Sequence, residues 1–185
     1  MNKAIFLDRD GVINYDYGFI YKWSEFKFID GVIKALQILT NYGFKIFIIT
    51  NQSGIARGFY STNDLEILHK QMLNYLSKRS ININEVFYCP HHEKGKSKEY
   101  AINCLCRKPK PGMLLLAKDK YNINMKESYL VGDKISDLQA GWNAGVRCCY
   151  LVRKNGTDNY PKFESFIYYA NDLYDFAKKV TKVTF

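Results

Sequence analysis

The feature that most constrains this chain is where its first apolar run stops: Ile5-Phe6-Leu7 gives way at once to Asp8-Arg9-Asp10-Gly11. A strand buried on both faces cannot carry an unpaired carboxylate, because a charge taken out of water costs far more than the run gains by burial. The acids therefore belong at the strand's carboxyl end. Side chains at i and i+2 of an extended chain share a face, so Asp8 and Asp10 are expected to aim at one spot while Arg9 points away. Gly11 lets the backbone turn sharply.

Two carboxylates this close repel each other and any approaching anion, by about 1 kcal/mol per pair at 4 Å in water and several times more near a protein surface. A divalent cation relieves the repulsion, and Mg²⁺ suits an all-oxygen site that shares a substrate phosphate. One acid can then attack phosphorus while the other protonates the leaving oxygen. Taken alone, the same tetrapeptide also fits an acidic turn that caps the next element.

The chain of 185 residues, 47% of them apolar, suits one domain spanning 1–185. With no apolar run of about eighteen residues and no leader pattern at its start, it reads as cytoplasmic with no membrane partner. Its five cysteines are odd in number and read as metal ligation in a reducing compartment rather than as disulfides. The net charge of +9 admits nucleic acid, a membrane surface or an acidic small molecule. Of the 27 basic residues 21 are lysines, scattered along the chain as on a solvated surface. That distribution favours a small substrate carrying several phosphates over nucleic acid, although a zinc-stabilised nucleic-acid-binding module stays open as an alternative.

Lys3 to Leu7 is the first expected strand, and residues 14–28 form an irregular aromatic-rich flap. A helix from Asp30-Gly31 to Gly43 leads into a strand over Lys45 to Ile49, which ends in Thr50-Asn51-Gln52-Ser53-Gly54. A hydroxyl and the N–H groups of such a turn can hold a phosphate, though an ordinary turn fits too. Ser61 and Asp64 open a long helix to about Lys78, on which His69 reads as a packing or surface residue. Strands over Glu85 to Tyr88, Ser128 to Gly132 and Val146 to Val152 follow, with helices over Pro111 to Lys120, Ser136 to Ala144 and Asp172 to Val180. Cys148 and Cys149 read as packing residues.

Residues 89–106 hold few apolar side chains and cannot form a core. Cys89-x-His91, twelve intervening residues, and Cys104-x-Cys106 supply four ligands for a closed tetrahedral Zn²⁺ site. His92 is the alternative ligand. Arg107 can clamp a phosphate through its planar fork, and Lys108 can act as a point charge on the transferring group. Asp133 ends another strand, with Asp137 as a supporting or helix-start acid and Lys134 as a candidate for a distal charge.

Strands alternating with helices imply an α/β, Rossmann-like three-layer fold with a mainly parallel sheet. Ligands bind beyond the carboxyl ends of such strands, where Asp8, Thr50 and Asp133 all sit. Asp8-Arg9-Asp10-Gly11-Val12-Ile13, Thr50, Lys108 and Gly132-Asp133 resemble, in order, the four motifs of the haloacid dehalogenase-like phosphatases. Thr50 to Gly58 and the Cys/His loop are similar to the branch holding heptose bisphosphate and histidinol phosphatases. The resemblance runs to about residue 153. It implies no large cap domain, a structural zinc loop, and Mg²⁺ bridging Asp8, the Asp10 carbonyl and Asp133, and a monomer is expected. It also implies Asp8 as nucleophile, Asp10 as acid and base, and Thr50 and Lys108 holding the phosphoryl group. Asp16, Tyr17, Gly18, Phe19, Asn51, Gln52, Ser53, Arg107 and Lys134 would line the sugar and its distal phosphate. The implied reaction removes the 7-phosphate of D-glycero-D-manno-heptose 1,7-bisphosphate, on the way to activated heptose for surface polysaccharide, with histidinol phosphate as the alternative substrate. Tyr17 stands where histidine is more usual, a departure that bears on anomer or sugar preference.

Overall fold

A computed structural model describes residues 1–152 and 167–182. Six strands build one sheet: β1 (Ala4–Leu7), β2 (Lys45–Asn51), β3 (Glu85–Cys89), β4 (Tyr129–Gly132), β5 (Cys148–Val152) and β6 (Ile167–Ala170). Their order is β3-β2-β1-β4-β5-β6, and every neighbouring pair is parallel. Five of the strands match the expected ones. β6 is additional: it lies at the sheet edge with its two tyrosines exposed, and so lacks the apolar run that marks the others.

Alternation along the central strands divides the core into two layers. Ile5, Leu7, Ile46 and Ile48 face helices α1 (Val32–Asn41), α2 (Thr62–Ser77) and α5 (Leu173–Thr181), meeting Leu36, Leu39, Met72 and Phe176. Ala4, Phe6, Phe47 and Ile49 face α3 (Gly112–Tyr121) and α4 (Ile135–Ala144), meeting Met113, Leu114 and Leu138. Helices thus cover both faces of the sheet. Cys149 packs in the second layer, as its apolar neighbours require. The start of α2 is a capping box in which Ser61 Oγ accepts from the Asp64 N–H and Asp64 Oδ2 from the Ser61 N–H, an arrangement worth about 1 kcal/mol.

Segment 14–28 crosses the carboxyl end of the sheet without regular structure apart from a short 3₁₀ turn over Trp23–Glu25. Its ends are pinned by the Tyr15 N–H to the Lys27 carbonyl and the Ile29 N–H to the Ile13 carbonyl, both at 3.0 Å. Its aromatic content has a physical use. Trp23 and Phe28 pack on Tyr75 of α2 with ring centroids 5.6 and 5.0 Å away, tying the segment down where backbone pairing does not.

The strand order reverses between β1 and β4: β2 and β3 build outward on one side, β5 and β6 on the other. The loops leaving β1 and β4 therefore diverge and open a crevice at the sheet's carboxyl edge.

Candidate active site

That crevice is a cleft of about 210 Å³ lined by Asp8, Asp10, Asp16, Gly18, Phe19, Thr50, Asn51, Gln52, Ser53, Lys108 and Lys134, together with Tyr60, Ser136 and Asp137. Asp8 leaves β1, Thr50 lies at the end of β2, and Asp137 stands in the first turn of α4, after β4. The carboxylates of Asp8, Asp133 and Asp137 all come within 4.8 Å of one another.

Lys108 holds this group from below. Its Nζ is 2.9 Å from Asp8 Oδ1 and 2.7 Å from Asp137 Oδ1, and it donates to the Ile49 carbonyl at 2.8 Å. All three N–H donors of the buried ammonium are used. Burial works against its charge, but Asp137 and Asp8 hold its pKa above the ordinary lysine value. Burial likewise pushes Asp8 up to about 7 against the pull of Lys108, and Asp133 up to about 6 against Lys134. Asp137 also caps α4, its Oδ2 accepting from the Lys134 N–H at 2.9 Å.

The residues present fit a hard cation. Asp133 Oδ1 is buried with no hydrogen-bond partner among the described residues, a position that costs free energy unless something positive meets it. Gly11 permits this approach: a Cβ there would stand 2.3 Å from Asp133 Oδ2. The Asp10 carboxylate is not part of this group.

Arg9 corrects the expectation drawn from strand alternation. It does not point away; it is fully buried and turns back on its neighbour. The strand ends at Leu7, and the Ile13 and Asn14 N–H groups both donate to the Arg9 carbonyl in a tight turn. Arg9 Nη2 then reaches both Asp10 oxygens at 3.0 Å and the Ile20 carbonyl at 2.7 Å, while Nη1 donates to His69 Nε2 at 3.1 Å. His69 is therefore a buried acceptor on α2, not a surface residue. Asn14 Nδ2 and Gln52 Nε2 each donate to Asp10 at 2.9 Å, so four neighbouring N–H bonds or more hold this carboxylate.

Two expected lining residues stand apart from the cleft. Tyr17 is 65% exposed and stacks on Tyr15. Arg107 lines an adjoining hollow with Lys94 and Lys110, its Nη1 donating to the His91 carbonyl at 3.1 Å, and only Lys108 faces both spaces. Lys134 Nζ lies 3.2 Å from Asp16 Oδ2, linking segment 14–28 to the exit of β4. The sequence reading missed Tyr60 and Ser136 at the cleft. A tyrosine amid core residues carries no chemical signature, and Ser136 reads only as a helix start.

Cys89 Sγ, His91 Nδ1, Cys104 Sγ and Cys106 Sγ form a second cluster. Its edges are 3.5 Å (Cys89–Cys104), 3.3 Å (Cys104–Cys106), 3.3 Å (His91–Cys106) and 3.7 Å (Cys89–His91). Tetrahedral zinc with bonds of about 2.0–2.3 Å requires edges of roughly 3.5–3.8 Å, so the four atoms already stand close to the required shape. His92 is not among them: its Nδ1 accepts from the Lys94 N–H, and its Nε2 lies 3.1 Å from Arg57 Nη2.

Burial first, and Arg9 second, hold His69 down to about 3, so its ring stays neutral and can accept from Arg9. The unfolded chain's histidine takes up a proton near pH 6.5. The neutral site thus contributes stability in full above that pH and loses it progressively as pH falls towards 3. His69→Gln keeps an acceptor for Arg9 and removes the titration. Between about pH 7 and pH 5, urea denaturation should show the wild type losing up to about 2 kcal/mol more than His69→Gln. Parallel losses in the two proteins would contradict the assignment.

The family described as polynucleotide kinase 3 phosphatase matches residues 8–158. The chain is 49% identical over 153 residues to the D-glycero-beta-D-manno-heptose-1,7-bisphosphate 7-phosphatase of Haemophilus influenzae, covering 83% of each chain. Its identity to the enzyme of the same name from Escherichia coli K12 is 44% over 180 residues, covering 97% of this chain and 94% of the relative. A crystal structure of D,D-heptose 1,7-bisphosphate phosphatase from B. bronchiseptica, complexed with magnesium and phosphate, superposes with a TM-score of 0.84 at 31% identity, covering 97% of this chain and 98% of that one. With Asp8, Thr50 and Lys108 in one cleft at the switch point of a parallel sheet and Asp133 beside Asp8, the chain belongs to the haloacid dehalogenase-like phosphatases, in the branch of the D-glycero-D-manno-heptose-1,7-bisphosphate 7-phosphatases.

Proposed function

We propose that this protein removes the 7-phosphate of D-glycero-D-manno-heptose 1,7-bisphosphate as a step towards activated heptose for surface polysaccharide. The observation that carries the reading is the convergence of Asp8, Thr50, Lys108 and Asp137 on one cleft, beside the partnerless oxygen of Asp133. The relatives supply the substrate class.

Asp8 is the nucleophile. Its Oδ1 is held by Lys108 and by the Arg9 N–H at 2.8 Å, while Oδ2 accepts no hydrogen bond among the described residues and is the oxygen free to attack phosphorus. Mg²⁺ held by Asp8, Asp133 and the Asp10 carbonyl supplies charge neutralisation to the phosphoryl oxygens. As the Asp8 Oδ2–P bond forms and the bond from phosphorus to the C7 oxygen breaks, Asp10 gives that oxygen a proton. Asp10 then takes a proton from the water that attacks the aspartyl-phosphate, releasing phosphate and restoring Asp8. The Thr50 hydroxyl and the Lys108 ammonium hold the transferring group. Asp16, Gly18, Phe19, Asn51, Ser53 and Lys134 line the rest of the cleft and bind the sugar, and Arg107 in the adjoining hollow meets the distal phosphate.

Zn²⁺ in the Cys89, His91, Cys104, Cys106 cluster is structural. The loop is tied to the substrate side, since the Lys96 and Ser97 N–H groups donate to the Ala56 carbonyl and the Gln52 N–H to the Cys89 carbonyl. Free thiols gathered in this way suit a reducing compartment and support a cytoplasmic location. Among the described residues no helix is long and apolar enough to cross a membrane.

Phosphate release from heptose 1,7-bisphosphate and from histidinol phosphate, in Mg²⁺ and at equal concentration, tests the substrate. A higher kcat/KM for the heptose is expected, and the reverse order would overturn the choice. Asp8→Asn should lower kcat by about 10³-fold or more without unfolding the protein, and a well-folded, active variant would remove Asp8 from its role. Cys104→Ser should purify without its stoichiometric zinc and expose residues 89–107 to proteolysis, whereas unchanged zinc content would refute the four-ligand site.

A further inference from the structure

Gln52 is one of the residues that hold Asp10, and what fixes Gln52 lies on the far side of its amide. Gln52 Nε2 donates to Asp10 Oδ2 at 2.9 Å and to Thr50 Oγ1 at 2.8 Å, which uses both of its hydrogens. Its Oε1 accepts the Tyr60 hydroxyl proton at 2.6 Å. An amide can present either end to a neighbour, and a fixed donor on the oxygen side settles which end faces Asp10. Tyr60 is that donor.

The tyrosine is itself held. It is 7% exposed, and its ring stacks on Tyr21 of segment 14–28 with centroids 4.8 Å apart and planes at 13°. Gly54 leaves room for it, since a Cβ there would stand 2.1 Å from Tyr60 Cε1. Burial pushes the phenol up to about 12, so the hydroxyl remains a donor throughout the neutral range. Its short bond to Gln52 occupies that hydroxyl and gives it work other than binding substrate.

We propose that Tyr60 is a positioning residue of the phosphatase reaction: through the Gln52 amide it fixes the Asp10 carboxylate that protonates the leaving oxygen, without touching the reacting atoms. The inference rests on the reading of Asp10 as acid and base. It assigns part of the rate to a side chain eight positions beyond Gln52, reached through one hydrogen bond. Losing such a bond commonly changes an equilibrium by about threefold to tenfold.

The test is Tyr60→Phe, which keeps the ring and its stacking and removes only the hydroxyl. Single-turnover release of the leaving group is measured with two substrates. Heptose 1,7-bisphosphate has an alkoxide leaving group that needs a proton, and p-nitrophenyl phosphate has one that leaves without it. The expected result is a threefold to tenfold slower single-turnover release from the heptose substrate, a steady-state KM within twofold of wild type, and an unchanged single-turnover rate of p-nitrophenol release. Equal slowing of both substrates marks a structural role only and overturns the proposal, as does an unchanged rate with both. If the wild type fails on heptose bisphosphate, the proposed substrate falls, and the same comparison on whichever alkyl phosphate it cleaves decides the role of Tyr60.

Discussion

One ammonium among three carboxylates governs this structure. Lys108 neutralises one charge of the group formed by Asp8, Asp133 and Asp137, which leaves two negative charges in a space largely closed to water. Lys134 opposes part of this at Asp133, but it is about half exposed, 3.8 Å away and shared with Asp16. Two uncompensated charges are what a divalent cation carries, and burial first, with the neighbouring carboxylates adding to it, holds Asp8 and Asp133 above the usual carboxylate range. Cation and phosphate are thus complementary to a defect built into the fold. The arrangement is costly to disturb, since breaking a buried pair by removing one partner typically costs about 3–5 kcal/mol.

The parallel sheet is what makes such crowding possible. Apolar strands place their polar ends along one edge, and the reversal of order between β1 and β4 opens the crevice where Asp8 and Asp133 meet. Lys108 arrives from a different direction, at the end of the Cys/His loop, and is locked to β2 because Asn51 accepts its backbone N–H and donates to its carbonyl. The loop's three thiols and one imidazole suit Zn²⁺, whereas the cleft's hard oxygens suit Mg²⁺.

Much of this was legible in the residues alone. Apolar runs that stop at Asp8 and Asp133 announce the carboxyl ends of their strands, because burial forbids an unpaired carboxylate anywhere earlier. The spacing of Cys89, His91, Cys104 and Cys106 likewise survives translation into distances of 3.3 to 3.7 Å. Arg9 was misread because alternation holds only while the chain stays extended, and the turn at Arg9 overrides it. His69 and Tyr60 were out of reach for another reason: each meets its partner through tertiary packing, and a lone histidine or tyrosine on an apolar background looks like any core residue. β6 was missed because an edge strand with two exposed tyrosines has no buried run to reveal it.

The central claim is that oxygen atoms from separate strand ends share one cation, so that Asp8 can accept a phosphoryl group. Anomalous diffraction from a crystal soaked in Mn²⁺, a stand-in for Mg²⁺ that scatters anomalously, tests it most directly. The account predicts a single strong peak in the cleft that contacts the carboxylates of both Asp8 and Asp133. A peak that contacts neither, or the two side chains drawn apart with no metal between them, would contradict it.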